Sequence, residues 1–251
     1  MSPPSPPLFP NQGAVRKPYG NLGSFIVPSD KIALRSPGRA QSITYKSLRE
    51  FIDDFHIPLP EMDGTDTRAA LTTTRKPLVC IAIPNGPVLA AVCLAVANRY
   101  IAAPINRDLS VGPDQFQADV LASGASCILI VRDDVDRLQL SGPLSWATKK
   151  GIHVFIVEHR DDPDQHGTLG SLTVTEMTHT SSSRSALTQP QPEPNIGDDI
   201  AIILFTSGTS GTKKIVPITV NNIVSGVGSV IESWDLKEND VCLNMMPLFH
   251  M

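Results

Sequence analysis

Four short runs of apolar residues, at positions 78–83, 100–105, 127–131 and 154–157, limit what this chain can fold into more than any other feature. The first has the length and branching of a buried strand, the third is again a short buried strand, and the second and fourth read as strands beside them. After the first run, Pro84-Asn85-Gly86 makes a turn, Pro87 suits a first helical turn, and the apolar residues through Ala97 predict a helix buried on most sides. After the second, Asn106 begins a polar turn that leads to a helix near Pro113, with Phe116, Val120 and Leu121 on one face and Gly124 as its stop. Mixed polar residues at 133–150 precede the fourth run. Short apolar strands alternating with helices are the pattern of βαβ units, which predicts an α/β fold with a mostly parallel, doubly wound sheet. Ahead of this series, Ile43 begins a unit in which Thr44 caps a helix carrying Tyr45, Leu48, Phe51, Ile52 and Phe55 at helical spacing.

A fifth run, with Ile200, Ile202, Ile203, Leu204 and Phe205, ends in the loop Thr206, Ser207, Gly208, Thr209, Ser210 and Gly211, followed by Lys213 and Lys214. Glycines let backbone N–H groups converge without Cβ interference, hydroxyls add short donors, and lysine adds a mobile positive charge. That composition suits an anion, and a polyphosphate in particular; the plain alternative is a polar loop between two strands. The Walker spacing fails, because the fifth position after Gly208 is Lys213 rather than glycine. The dinucleotide pattern fails too, since Gly208 and Gly211 have no earlier glycine partner. Downstream, residues 215–218 read as a return strand and Thr219 as a helix N-cap, with Ile218 and Ile223 at the positions of a hydrophobic staple. The helix shows Ile223, Val224, Val227, Val230, Ile231 and Trp234 on one face, expected to dock on the sheet. Residues 241–246 read as a further strand running into Pro247-Leu248-Phe249-His250-Met251.

At 251 residues the chain has room for one large domain or two modest ones. A net charge of −4, with no Lys/Arg cluster beyond Lys213 and Lys214, gives no reason to expect nucleic acid as a partner. The most apolar run, 88–97, falls well short of the roughly 20 residues of a spanning helix, so no transmembrane segment is expected. Residues 1–20 read as a flexible, proline-rich leader without the features of a secretory signal. Cys80, Cys93, Cys127 and Cys242 stand far apart in apolar segments and read as reduced core residues, which suggests a cytoplasmic protein. None of His56, His153, His159, His166 and His179 has metal-ligand spacing, so no protein-bound metal is expected, and no G-x-S-x-G elbow occurs. Residues 159–195 have few large apolar side chains and several prolines, and are expected to form a long mobile surface loop.

The glycine-rich loop resembles the signature of the adenylate-forming (AMP-binding) superfamily, which includes acyl-CoA synthetases, luciferases and peptide-synthetase adenylation domains and reads T-S-G-T-[ST]-G-x-P-K-G-V-x-x-T-x-x-N. Residues 206–211 match throughout, and Lys214, Val216, Thr219 and Asn222 fall on family positions. Lys213 stands where proline is usual and Ile215 where glycine is usual. If that glycine has positive φ, isoleucine would reach it at a strain of roughly 1–3 kcal/mol, so a different path after Lys214 is expected. The stretches VCIAIPNGPVLAAVCLAVANRYIAAPIN and ADVLASGASCILI resemble the early core of acyl-CoA synthetases, and M-P-L-F-H resembles the segment that places a histidine beside the acyl pocket. Taken alone, His250 reads as a partly buried histidine at a strand end. Thr175-Glu176 precedes the loop instead of following it, and so does not match the family's magnesium-holding Thr-Glu pair.

The resemblance implies a truncated N-terminal domain of an adenylate-forming enzyme over residues 21–251, with the phosphate loop at 200–217. It implies an ATP-dependent ligase that joins a small carboxylic acid to AMP with release of pyrophosphate, then passes the acyl group to a thiol of CoA or of a carrier domain's phosphopantetheine. Thr206, Ser207, Gly208, Thr209, Ser210, Gly211 and Lys214 would bind the nucleotide, Lys214 and His250 would be catalytic, and Mg2+ would arrive with ATP. The family's later segments have no counterpart in these residues. The alternative is a non-catalytic remnant that at most binds nucleotide or a protein partner, and an unrelated P-loop NTPase is disfavoured by the failed spacing. A peroxisomal address stays open beside the cytoplasmic one, because the natural C-terminus need not be among these residues.

Overall fold

A computed structural model describes residues 20–36, 42–59, 76–108, 110, 112–142, 144–160, 171–177, 190–206 and 214–249. Its centre is a sheet of β3 (Leu78–Ala82), β4 (Ile101–Pro104), β5 (Cys127–Ile130), β6 (His153–Arg160), β7 (Ser171–Glu176), β8 (Ile200–Thr206) and β9 (Lys214–Thr219). The spatial order is β7-β6-β5-β3-β4-β8-β9. The five inner strands run parallel, whereas β7 and β9 close the two edges antiparallel. A separate antiparallel pair, β1 (Ile32–Arg35) and β2 (Ser42–Thr44), leads into α1 (Tyr45–Asp54).

Every residue of β3, β4 and β5 is buried, as expected of parallel strands covered on both faces. Side-chain alternation along β3 sends Val79 and Ile81 to one core and Cys80 and Ala82 to the other. The first core is closed by α1 and by α2 (Pro87–Arg99) through Leu48, Ile52, Leu89, Val92 and Val96. The second is closed by α3 (Pro113–Ser123) and the one-turn α4 (Trp146–Lys149), through Phe116, Val120 and Ala147. After β4 the chain crosses β3 to lay down β5 on its other side, so the connections that follow β3 and β5 leave towards opposite faces. In open α/β sheets that reversal opens a ligand crevice at the carboxyl ends of the strands.

Local chemistry sets the helix ends. The Thr44 hydroxyl accepts from the Ser47 N–H at 3.1 Å, capping α1 as its spacing predicts, although Tyr45 turns to solvent instead of joining the buried face. Pro87 takes the first position of α2 behind Gly86, whose φ of +149° suits only glycine. Gly124 ends α3 in the left-handed conformation at φ +73°. α5 (Val220–Trp234) starts in a capping box: Thr219 Oγ1 accepts from Asn222 N, and Asn222 Oδ1 accepts from Thr219 N, both at 3.1 Å.

Four expectations need correction. The stretch 159–195 is not a single loop: β6 runs on to Arg160, β7 pairs with it from Phe155↔Glu176 to Arg160↔Ser171, and residues 190–195 dock on the body of the fold. In the strand SLTVTE, alternate Leu172 and Val174 reach the first core while its threonines face outward, a half-polar pattern that hides an edge strand. Residues 241–246 form no strand; they have no ladder partner among the described residues, and Val241, Leu243 and Met245 are exposed. α5 buries only Val220, Val224 and Gly228, leaving Val227, Val230 and Trp234 exposed. Cys242 is exposed, unlike Cys80 and Cys127.

No described helix is long and apolar enough to cross a membrane. Residues 1–19 lie outside the described residues.

Candidate active site

The site is built on β8. Its paired neighbour β4 is parallel at Ala102↔Ile202, which aligns the carboxyl ends of β3, β4 and β8 along one edge of the sheet. Thr206, the first hydroxyl of the glycine-rich loop, closes β8 at that edge. β9 returns antiparallel with Thr206 opposite Lys214, Phe205 opposite Ile215 and Leu204 opposite Val216. Both ends of the loop are therefore held together, one bearing a hydroxyl and the other an exposed ammonium group. Ser207, Gly208, Thr209, Ser210, Gly211 and Lys213 lie outside the described residues, as does His250.

Ile215 follows an unstrained path after Lys214. It lies within β9, paired with Phe205 and packed against the second core, and the only non-glycine residues with positive φ among those described are Gln139 and Asp235. A β-branched residue in an extended strand meets no φ penalty.

Two further segments converge on β8 and its edge. At its start, Asn195 is fully buried and donates through Nδ2 to the carbonyls of Ala97 and Tyr100, at 2.8 and 2.7 Å. Its own N–H donates to Asn98 O at 2.7 Å, and its Oδ1 accepts from Lys76 Nζ at 2.6 Å. Lys76 also donates to Glu193 O and pairs with Asp199 at 3.5 Å; burial lowers its pKa below the ordinary lysine value, and Asp199 opposes that shift. This clasp ties the approach to β8 to the last turn of α2. No sequence pattern marks it, because the Asn195 amide hydrogens go to backbone carbonyls.

At the carboxyl edge, the Leu248 N–H donates to Asn85 Oδ1 at 3.2 Å, and Leu248 packs against the first core. The P-L-F segment thus sits on the turn that follows β3, on the same sheet edge as Thr206.

The buried thiols are not candidate nucleophiles. Burial pushes the Cys80 and Cys93 thiols up to about 12, and it also raises Cys127, keeping each protonated. Thr175-Glu176 lies on edge strand β7, where Glu176 Oε1 contacts His153 Nδ1 at 2.9 Å. Among the described residues, no group of three His, Cys, Asp or Glu side chains stands together to hold a metal.

An AMP-binding enzyme family profile matches residues 27–251. The chain belongs to the AMP-binding enzyme family. Similar proteins include the oxalate–CoA ligase of Saccharomyces cerevisiae, 27% identical over 89% of this chain and 41% of that protein. An acyl-CoA synthetase of Alternaria alternata is 25% identical over 91% of this chain and 40% of its own length. Among solved structures, the N-terminal domain of FACL13 from Mycobacterium tuberculosis superposes with a TM-score of 0.62 at 19% identity, covering 92% of this chain and 52% of that one. The O-succinylbenzoate coenzyme A synthetase of Bacillus subtilis, solved with AMP, gives 0.58 at 17% identity, over 93% and 51%. These structures share the α/β fold with its mostly parallel sheet. The chain spans about two fifths of the length of these curated relatives.

Proposed function

We propose that this chain is the front portion of an ATP-dependent carboxylate-activating ligase, with residues 21–251 forming a partial N-terminal domain. The observation that carries the reading is the Thr206↔Lys214 register at the carboxyl edge of the sheet, at the base of a loop that matches the family signature. In the reaction, a carboxylate oxygen attacks the α-phosphorus of ATP. The new acyl–phosphate bond forms as the bond to pyrophosphate breaks, and a thiol sulfur then takes the acyl carbon with loss of AMP. Thr206, Ser207, Gly208, Thr209, Ser210 and Gly211 serve as donors to the β and γ phosphates. Lys214 offsets the charge that develops on the leaving pyrophosphate, a charge-assisted contact of roughly 1.5–3 kcal/mol. A hydroxyl facing an exposed lysine across one antiparallel pair suits a polyphosphate. Mg2+, carried in by the nucleotide, would supply further charge neutralisation. His250 orients the attacking carboxylate. The names of the relatives favour CoA over a carrier-domain phosphopantetheine as the acceptor thiol.

The test is Lys214→Ala in the full ligase carrying this segment. Carboxylate-dependent pyrophosphate exchange should slow by about 10- to 100-fold, the rate equivalent of one such contact, and an unchanged rate would remove Lys214 from the mechanism.

A second reading concerns the 251 residues by themselves. Val227, Val230, Trp234, Val241, Leu243 and Met245 are all exposed, which favours a non-catalytic segment that associates through this apolar surface.

A further inference from the structure

A long-range contact at the carboxyl edge joins the turn after β3 to the segment before His250. Asn85 lies between Pro84 and Gly86, at the point where the connections after β3 and β5 part to opposite faces. Gly86 is fixed by its φ of +149° and Pro87 begins α2, so the turn that presents Asn85 has little freedom. The Asn85 side-chain carbonyl accepts from the Leu248 N–H at 3.2 Å, across 163 positions of sequence. Residues 241–246 are exposed, whereas Pro247, Leu248 and Phe249 are partly buried, and Leu248 packs on the first core. The exposed stretch therefore becomes a docked one where Asn85 takes hold. Thr206 stands at the same edge, two strand spacings from β3, roughly 10 Å across the sheet.

We infer that Asn85 is a positioning residue: by holding the Leu248 amide it seats the Pro247-Leu248-Phe249 segment at the carboxyl edge of the sheet, as the wall that orients the carboxylic acid substrate opposite the phosphate loop. The inference rests on the ligase reading for its substrate and on the Asn85–Leu248 geometry for its mechanism. Only the side-chain carbonyl is used. Aspartate at 85 keeps an acceptor for the Leu248 N–H, whereas alanine removes it and leaves the turn's backbone unchanged.

Amide hydrogen exchange in the 251-residue chain tests the contact without any turnover. In Asn85→Ala the Leu248 amide should exchange about five- to tenfold faster, the equivalent of one net hydrogen bond, with α2 amides unmoved and Asn85→Asp close to wild type. Pyrophosphate exchange in the full ligase tests the role. Asn85→Ala should raise the KM for the carboxylate by a similar factor and leave the KM for ATP unchanged, and Asn85→Asp should restore most of the loss. An unmoved Leu248 amide, equal changes in both KM values, or an Asp variant no better than Ala would each overturn the inference. A wild-type ligase without carboxylate-dependent exchange would remove the ligase reading instead, and the Leu248 amide then decides whether Asn85 positions the segment.

Discussion

Replacing Asn195 by alanine should be among the most damaging single truncations in the chain. The side chain is fully buried and spends both amide hydrogens on the carbonyls of Ala97 and Tyr100, at 2.8 and 2.7 Å. Both carbonyls lie at the C-terminal end of α2, where the helix has no partners of its own to offer. A buried polar group left without a partner costs about 1–3 kcal/mol, so the two together cost roughly 2–6 kcal/mol. Lys76 loses one acceptor but keeps Glu193 O and Asp199, so its share is small. We expect a loss of about 4 kcal/mol, a large fraction of the 5–15 kcal/mol that holds a typical domain together. In urea unfolding the midpoint should fall by about 1–2 M with m unchanged. Two comparisons isolate the cause. Asn195→Asp keeps an acceptor for Lys76 but sets a carboxylate against two carbonyls, and should recover nothing. Lys76→Met removes a desolvated charge and should cost less than Asn195→Ala. A loss below about 1 kcal/mol for Asn195→Ala, or wild-type stability for Asn195→Asp, would show that the two carbonyls find other partners.

Two further predictions concern the thiols and the exposed apolar surface. A thiol reagent at pH 8 should label Cys242 quickly and reach Cys80 and Cys127 only on unfolding; rapid labelling of all four would contradict the packing. Burial pushes the Cys80 and Cys93 thiols up to about 12 from the ordinary thiol value of 9.0, so the stability they contribute is complete below pH 9 and drains as pH rises towards 12. Cys127 and Tyr100, also raised by burial, act in the same direction, and Lys76, whose pKa is lowered, opposes them. Urea midpoints should therefore decline above pH 9, and a rising midpoint would refute this balance. On the surface, Trp234→Lys should weaken self-association of the 251-residue chain in sedimentation while leaving the urea midpoint within about 0.5 kcal/mol, as befits an exposed position; a wild-type chain that stays monomeric would dismiss the second reading.

The centre of the fold was legible in the sequence because its strands are buried on both faces, so that β3, β4 and β5 appear as unbroken apolar runs. The caps at Thr44, Gly124 and Thr219 were legible for a similar reason, since few residue types satisfy those positions. The edges were not. The apolar run 154–157 stops short of the ends of β6 because His153, Glu158 and His159 are polar, although His153 pairs with β5 and Glu158 and His159 pair with β7. Periodicity identified the apolar face of α5 correctly, but periodicity says nothing about what covers a face, and Val227, Val230 and Trp234 remain exposed among the described residues. The site divides in the same way: the loop announced itself by composition, whereas the Asn195 clasp and the Asn85–Leu248 bond join side chains to backbone groups and leave no periodic trace.

The departure of Ile215 from the family pattern acquires a physical meaning from this arrangement. Glycine at that position would weaken a strand, because it adds chain entropy and offers no side chain to pack. Isoleucine opposite Phe205 forms a cross-strand pair of the kind that steadies antiparallel ladders by about 0.2–1 kcal/mol, and it also packs on the second core. The ladder accordingly extends to Thr206↔Lys214, the last pair before the loop. A ladder that reaches Thr206 and Lys214 fixes their backbones relative to each other, while the Lys214 side chain stays exposed. On this view isoleucine at 215 carries the paired strand as far as Lys214, where a glycine would weaken it.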